Sequence, residues 1–468
     1  MGRRWRALPT LGLAAVMAAG TLVACTPGAG NGSTINRPAD PVVLTGAQAP
    51  ALSGVAPNRL VAFRATRGSW AQVPVQVDER KATNMATVYN MPTSTRFYSS
   101  SIDVPLTTYA DAGTFVGADP NAAIDADDEI VFMARDAGGA KGDLAAPAGT
   151  VGGAVEVRIN DPLAPSASGY VYLFNSNGSL DPSAGRRYVD YDFNLASGDY
   201  RTTYNRTRGP NPEDSRVTGA SYTAHFSDRW TMDAITLTNG DRPGVDVIDR
   251  VKWDIPVLCI RNENTFNAEE GAFVVNRSGP VRALRSYVGA NSGPNTQNTH
   301  FFYDRSVDSV VDLRVHAIPM VGSHVDFSRE AFGMTLRAPD LPDGVRIDGT
   351  PETLPAATPT WWTVHGTQGG LGFSASYDQN AVTAANQPTR TYEDDLTPVT
   401  TQCTGDTEAV GDTGALFNTQ IACTDPGLGC TQRLQSRIRI VATPASTTPA
   451  ELARQAEQRL RPLTVTVS

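Results

Sequence analysis

The sequence lacks the long apolar and basic runs that characterise membrane-spanning and nucleic-acid-binding proteins. Beyond the first 25 of its 468 residues, no apolar stretch approaches the roughly 18 residues that a membrane-spanning helix needs. The formal net charge is −9, and lysine and arginine form no long run beyond the first six residues. We therefore expect no nucleic-acid or anionic lipid partner.

Familiar catalytic motifs are also missing. The chain contains no GxSxG, no HExxH, no Walker A motif and no GxGxxG between a strand and a helix. Hydrolase triads are defined by geometry and not by spacing, so this absence does not exclude them. The sequence alone leaves open whether the protein is an enzyme.

The first 25 residues contain the clearest signal. A basic head with three arginines precedes an apolar stretch over residues 7–20, which predicts a secretory signal peptide over residues 1–24. The stretch ends in Leu22-Val23-Ala24-Cys25, which resembles the lipobox of bacterial lipoproteins. The resemblance implies an exported protein held on the cell membrane or outer membrane by acyl chains on Cys25. Residues 25–42, rich in Gly, Pro, Ser and Asn, are predicted to be a flexible tether.

Four further cysteines, Cys259, Cys403, Cys423 and Cys430, are an even number, as expected for disulfides in an exported chain. They permit two disulfides and three connectivities. Cys423 with Cys430 closes the shortest loop, which would pair Cys403 with Cys259. Zinc is the alternative, but no CxxC pair and no nearby histidine supports it.

Short apolar runs separated by turn residues predict an all-β fold of antiparallel β-sandwiches. Val73, Val75 and Val77, for example, alternate with polar residues, as in a strand with one buried face. One helix is predicted over residues 449–461, because Thr448 and the Pro that follows form a helix start.

The glycine-rich segment 138–153 is the most obvious break in the chain. It predicts an N-terminal β domain over residues 43–140 and a large β-sandwich domain over residues 150–400. The cysteine-bearing segment 401–468 is either a satellite or part of the second sheet.

Four acidic residues crowd immediately before an apolar run in the segment AIDADDEIVFMAR: Asp125, Asp127, Asp128 and Glu129. An EF-hand is excluded because Ile130 stands where the loop requires Gly. We expect a turn that leads into a buried strand over residues 130–135. A Ca2+ cage formed by Asp125, Asp127 and Glu129 and a ligand cleft are the alternatives. No other cofactor is predicted.

Three segments carry weak family resemblances. VPVQVDER, together with DADDEIVFMARDAG, resembles an N-terminal β module of secreted bacterial proteins of undefined function. GPVRAL, residues 279–284, resembles a strand start in galactose-mutarotase-like and polysaccharide-acting β-sandwiches. The second resemblance implies a large sandwich that handles carbohydrate.

Three of the five histidines lie within 25 residues and define a candidate catalytic set with two neighbours: His300, His316, His324, Tyr303 and Arg314. These side chains include the acid, base and cation types that sugar chemistry uses. The alternative is a polar strand face without chemistry. Trp361 and Trp362 are candidate platforms for a sugar ring, although tryptophans are commonly part of a core.

These observations lead to three hypotheses. The first is a bacterial surface lipoprotein that binds a carbohydrate or an envelope protein. The second is a carbohydrate-active enzyme, a lyase, epimerase or glycosidase, on a mutarotase-like sandwich. The third is a structural surface protein.

Overall fold

The described part of the chain consists of several ranges with gaps between them. The computed structural model describes residues 32–97, 100–196, 213–227, 232–239, 242–254, 271–289, 296–313, 320–378, 382–397, 408–420 and 434–468. All five cysteines and the signal segment lie outside these ranges, so the lipidation and the disulfides stay predictions. Within these ranges, no helix is long and apolar enough to cross a membrane.

The described residues before position 180 form eleven strands and one short helix, α1 (Met85–Tyr89). The strands are β1 (Pro41–Thr45), β2 (Leu60–Thr66), β3 (Ser69–Val73), β4 (Gln76–Asp78), β5 (Arg80–Asn84), β6 (Arg96–Phe97), β7 (Ser100–Ser101), β8 (Pro105–Tyr109), β9 (Glu129–Met133), β10 (Thr150–Asp161) and β11 (Ala164–Ser176).

The described residues after position 180 add nineteen strands and a second helix, α2 (Pro449–Leu460). The strands are β12 (Asp190–Asp192), β13 (Ser215–Thr218), β14 (Tyr222–Phe226), β15 (Met232–Asn239), β16 (Arg242–Asp246), β17 (Ile248–Asp254), β18 (Gly271–Ser278), β19 (Ala283–Gly289), β20 (Thr296–Phe302), β21 (Ser306–Leu313), β22 (Val321–Phe327), β23 (Thr335–Ala338), β24 (Leu341–Arg346), β25 (Trp361–Gly366), β26 (Gly369–Asp378), β27 (Thr389–Asp395), β28 (Ala409–Phe417), β29 (Leu434–Thr443) and β30 (Thr464–Val467). The pairings between strands are antiparallel, which confirms the predicted all-β class.

A smaller sandwich packs a three-stranded sheet, in the order β1-β9-β4, against a five-stranded sheet, in the order β3-β2-β11-β10-β30. Ile130 and Phe132 of β9 enter the core between these sheets, while Val131 and Met133 enter a second cluster on the other side. The run before which the acids crowd is therefore a strand buried on both faces, which explains why it is continuously apolar. The predicted turn and buried strand are confirmed, but the strand ends at Met133 and residues 134–136 form a 3-10 helix.

The smaller sandwich crosses the predicted domain boundary at residues 140–150. The hairpin β10–β11 follows the glycine-rich segment, yet β11 pairs with β2, and β10 pairs with β30 at the end of the chain. The glycine-rich segment is thus a connection within one sandwich and not a break between two.

A larger sandwich is formed around a nine-stranded sheet, in the order β18-β19-β20-β21-β29-β26-β25-β23-β24. A five-stranded sheet, β12 to β16 in sequence order, and a four-stranded sheet, β17-β22-β28-β27, contribute side chains to the same core. Phe226, Phe327 and Phe373, one from each sheet, belong to that core. The segment after residue 401 thus contributes β28 and β29 to the large sandwich.

Helix α2 begins where the sequence predicts, with the Thr448 hydroxyl accepting a hydrogen bond from the backbone of the first turn. It packs on β26 at Gly370 and Gly372, which have no side chains to hold it away. A Cβ atom at Gly370 would lie 2.7 Å from Leu452 Cδ2. The small residues therefore set how closely the helix approaches the sheet.

The two sandwiches meet through the segment that precedes β19. The Gln76 side-chain oxygen accepts hydrogen bonds from the backbone N–H groups of Val281 and Arg282, both at 3.0 Å. The Gln76 amide nitrogen donates to Asp78 at 2.8 Å, which fixes the orientation of the amide. Gly279 lies directly over this amide, so that a Cβ atom there would overlap it.

We expect Gly279→Ala to lower the free energy of unfolding by about 1–3 kcal/mol, because the added methyl group must displace a buried, hydrogen-bonded amide. Urea unfolding followed by tryptophan fluorescence measures this. Gly153→Ala is the matched control, since a Cβ atom at Gly153 meets no atom within 4 Å. Equal stability of the two variants would contradict the close packing of Gly279 against the Gln76 amide.

Candidate functional site

A cleft of about 470 Å³ lies at the edge of the four-stranded sheet. Strands β22, β28 and β27 form one wall, and a loop that includes Glu352 and Pro355 forms the other. Its polar lining mixes charged, hydroxyl and imidazole groups: His324, Glu352, Thr353, Arg390, Thr391, Tyr392, Glu393 and Asp412. The volume falls in the range of small-ligand sites.

His324 and Asp412 form a hydrogen-bonded pair on this wall. The imidazole Nδ1 of His324 lies 2.6 Å from Oδ1 of Asp412, and both side chains are about nine-tenths buried. Strand β28 brings them together: Gly414, two residues after Asp412, is the register partner of His324. A Cβ atom at Gly414 would collide with His324, so the glycine permits this close approach.

The alternation of strand residues decides which other groups share this face. Glu393 pairs in register with Asp412, and Thr391 with Gly414, so both are on the sheet face that carries His324. Glu393 is exposed. The face therefore presents a carboxylate, a hydroxyl and an imidazole in adjacent positions.

Tyr392 and Glu352 also line the cleft. Tyr392 is on the face of β27 opposite to Thr391 and Glu393, and Glu352 is on the loop. The Tyr392 hydroxyl and Oε2 of Glu352 are buried and have no hydrogen-bond partner within the described residues. Burial, with the charges of Asp394 and Asp348, raises the pKa of Glu352 above its usual value. An incoming ligand that donates a hydrogen bond to Glu352 would satisfy an otherwise unpaired acceptor.

The described members of the predicted catalytic set lie in different surroundings. His300 belongs to β20 of the nine-stranded sheet and is 2% exposed, whereas His324 belongs to the four-stranded sheet. The His300 Nδ1 is bonded to Ser309 at 2.8 Å, and burial, with the charge of Arg285, lowers the pKa of His300 to about 3. Tyr303 is also buried in a core cluster. His316 and Arg314 lie outside the described residues.

The two tryptophans do not form a shared platform. Trp362 is 3% exposed and stacks on Phe373 in the large core, with ring centroids 5.3 Å apart. Trp361 points to the opposite face of β25 and is half-buried. Trp362 is thus a core residue, which is the alternative that the sequence left open.

The acidic cluster divides into separate roles. Asp128 is fully buried and accepts hydrogen bonds from the backbone N–H groups of Asp125, at 2.9 Å, and Arg80, at 2.8 Å. Asp125 caps the same turn through the N–H of Asp127. These bonds fix the turn that leads into β9.

Glu129 is not part of that cluster. Its carboxylate accepts hydrogen bonds from Arg282 at 2.5 Å, Arg80 at 3.2 Å and Tyr109 at 2.9 Å. The predicted Ca2+ cage of Asp125, Asp127 and Glu129 is therefore wrong in its third member, because arginines hold Glu129 elsewhere.

Two other carboxylate groups converge closely enough to share a cation. They are Asp125 with Asp127 and Asp128, and Glu79 with Asp119 and Asp128. Within each group, the candidate ligand atoms lie within 4.8 Å of one another. Ca2+ at Asp125 and Asp127 stays a prediction.

Of the polar residues that line this cleft, the sequence analysis identified His324 and missed the others: Glu352, Thr353, Arg390, Thr391, Tyr392, Glu393 and Asp412. Asp412 is 88 residues from His324, and no local spacing connects them. The one signal was a lone aspartate inside the apolar run AVGDTGALF, since a charge in a buried strand needs a partner.

Comparisons with known proteins do not extend the assignment. The chain matches no known family model, and no curated protein is similar to it in sequence. The functional conclusion therefore depends on the geometry of the cleft.

Glu79 makes the stability of the protein depend on pH. Burial, with the charges of Asp128 and Asp119, raises the pKa of Glu79 to about 7. In the unfolded chain, the pKa of a Glu carboxyl is about 4.3. Between the two pKa values, Glu79 is therefore protonated only in the native state. The stability contribution of Glu79 therefore falls as the pH rises through that window.

We expect the stability of Glu79→Gln to match that of the wild type at about pH 4 and to exceed it at about pH 8, by about 1–2 kcal/mol after allowance for partial exposure. Thermal melts across this range measure the difference. Glu330→Gln, a change at an exposed position, is the control. A difference in stability between Glu79→Gln and the wild type that does not change with pH would contradict the raised pKa of Glu79. If added Ca2+ stabilises the wild type but not Glu79→Gln, this would instead support a cation site at Glu79, Asp119 and Asp128.

Proposed function

We propose that this chain is an exported bacterial surface lipoprotein that binds a carbohydrate in the cleft at His324. The observation that carries the proposal is the His324–Asp412 pair on the wall of a cleft of about 470 Å³. A buried, oriented polar pair on the two central strands of a sheet is a preformed recognition element.

The cleft lining supports a carbohydrate over an apolar ligand. Carboxylates, a hydroxyl and an imidazole present both donors and acceptors, which matches the dense hydroxyl groups of a sugar. Arg390 is fixed by Asp340, with one guanidinium nitrogen 2.8 Å from the carboxylate. The lining is therefore held in place before a ligand arrives, which reduces the entropy lost on binding.

The same pair favours a second candidate function, a carbohydrate-active enzyme. A carboxylate on Nδ1 fixes the tautomer of an imidazole and stabilises its protonated form, as in a general base. In this case His324 would abstract a proton from the sugar or from a water molecule, and Asp412 would position the ring. Binding and catalysis then use the same cleft.

His324→Ala is expected to weaken glycan binding by about tenfold or more, because it removes a charge-assisted hydrogen-bonding group from the cleft. A glycan array on the chain from Thr26 onward finds the ligand, and titration of each hit measures the affinity. His225→Ala is the matched control, since His225 lies on β14, outside the cleft. Binding of a protein from the cell envelope but of no glycan would contradict the ligand class.

Release of reducing ends from each bound glycan separates the two candidates. If the protein is an enzyme, Asp412→Asn lowers kcat by about 100-fold or more while KM changes little, because the tautomer of His324 is lost. Binding without release of reducing ends in the wild type rejects a glycosidase or a lyase.

The membrane anchor has an independent test. Cys25→Ala is expected to abolish incorporation of a labelled fatty acid and to release the protein from the membrane fraction, because no other lipidation site is predicted. Cys259→Ala, which leaves the lipobox intact, is the control. Continued labelling of the Cys25→Ala variant would contradict the lipoprotein assignment.

A further inference from the structure

A second cavity, of about 510 Å³, lies where the smaller sandwich meets the nine-stranded sheet. Strand β1, helix α2 and the segment leading into β30 form one side, and strands β20, β21 and β29 form the other. Four arginines line it, and we call it the arginine cavity: Arg282, Arg437, Arg439 and Arg459. It shares no lining residue with the cleft at His324.

Three carboxylates also line the arginine cavity, and each already has a cationic partner. Glu129 is bonded to Arg282. Asp40 accepts from Arg37 at 2.9 Å. Asp308 is bonded to Arg459 and lies 3.7 Å from Arg439. The lining therefore contains one more cation than anions.

Of these four arginines, Arg437 is the one without a counter-ion in the described part of the chain. Among the described residues, it has neither an ion pair nor a side-chain hydrogen bond. It lies two positions before Arg439 on β29, so both guanidinium groups extend from the same face of the sheet. Its half-buried side chain reaches the cavity wall.

The neighbouring arginines are also incompletely satisfied. Nε of Arg459 is buried without a hydrogen-bond partner among the described residues, and the residue is 6% exposed. Burial, opposed by Asp308 and reinforced by the charges of Arg459 and Arg437, lowers the pKa of Arg439 to about 10. Arg439 and Arg459 thus share Asp308, and Arg459 also lies 3.5 Å from Asp40. An added anion would relieve the repulsion between these two guanidinium groups and Arg437.

We propose that the arginine cavity binds a small organic ligand through an oxyanion, a carboxylate or a phosphate, held by Arg437 and Arg439. Guanidinium groups donate paired hydrogen bonds that fit both oxyanions. Val43 and Leu463 give the cavity an apolar side against which a sugar-sized ring packs. The volume accommodates such a ligand.

Calorimetric titration of the full-length chain at low salt tests the proposal with galacturonate, inorganic phosphate and neutral galactose as probes. Galacturonate or phosphate is expected to bind, and galactose is not. The better of the two anions identifies the oxyanion. Binding should weaken as salt is added, because the interaction is between charges.

Arg437→Gln is expected to lower the affinity for the anion by about tenfold or more, since a charge-assisted hydrogen bond is lost. Arg437→Lys should retain part of the affinity. Arg346→Gln on β24 makes the same change in charge at an exposed site on the same sheet and should leave binding unchanged. Failure of both anions to bind, or equal affinity of Arg437→Gln and wild type, would overturn the proposal.

Discussion

The guanidinium group of Arg282 is the contact on which the arrangement of the two sandwiches depends. It is 1% exposed and donates to Asp78 at 2.7 Å and to Glu129 at 2.5 Å. The rings of Tyr109 and Phe301 lie 5.8 and 5.1 Å from its central carbon. A buried charge of this kind is tolerated only while its partners are present, and loss of one partner typically costs about 3–5 kcal/mol.

The partners of Arg282 come from distant parts of the chain. Asp78 ends β4, Glu129 begins β9, and Arg282 itself precedes β19 of the nine-stranded sheet. Gln76 adds two backbone hydrogen bonds to the same segment. Both sandwiches therefore have to be docked in one orientation before this arginine is satisfied. The arginine cavity opens beside this contact, with Arg282 and Glu129 in its wall.

Local patterns predicted local structure well and long-range contacts poorly. The buried strand β9 and helix α2 follow from periodicity and capping, which involve only neighbouring residues. VPVQVDER, the acidic segment and GPVRAL stood out separately, but nothing in their spacing shows that Asp78, Glu129 and Arg282 meet. Only the pairing of strands places them together.

The described members of the histidine set are separated for a related reason. His300 and His324 are close along the chain, but β20 pairs within the nine-stranded sheet and β22 within the four-stranded sheet. When successive strands enter different sheets, proximity in sequence no longer implies proximity in space. Asp412, from a strand far along the chain, became the actual neighbour of His324.

The acidic residues at the start of β9 fix the register of this strand, which its apolar residues cannot do. Both faces of β9 are buried, so a shift by one residue would exchange Ile130 and Phe132 for Val131 and Met133 at little cost in burial. The charged residues at the start of β9 would lose their partners in such a shift. Asp128 has to reach the N–H of Arg80, and Glu129 has to reach Arg282. Apolar burial thus drives β9 inside, and the acids decide its register.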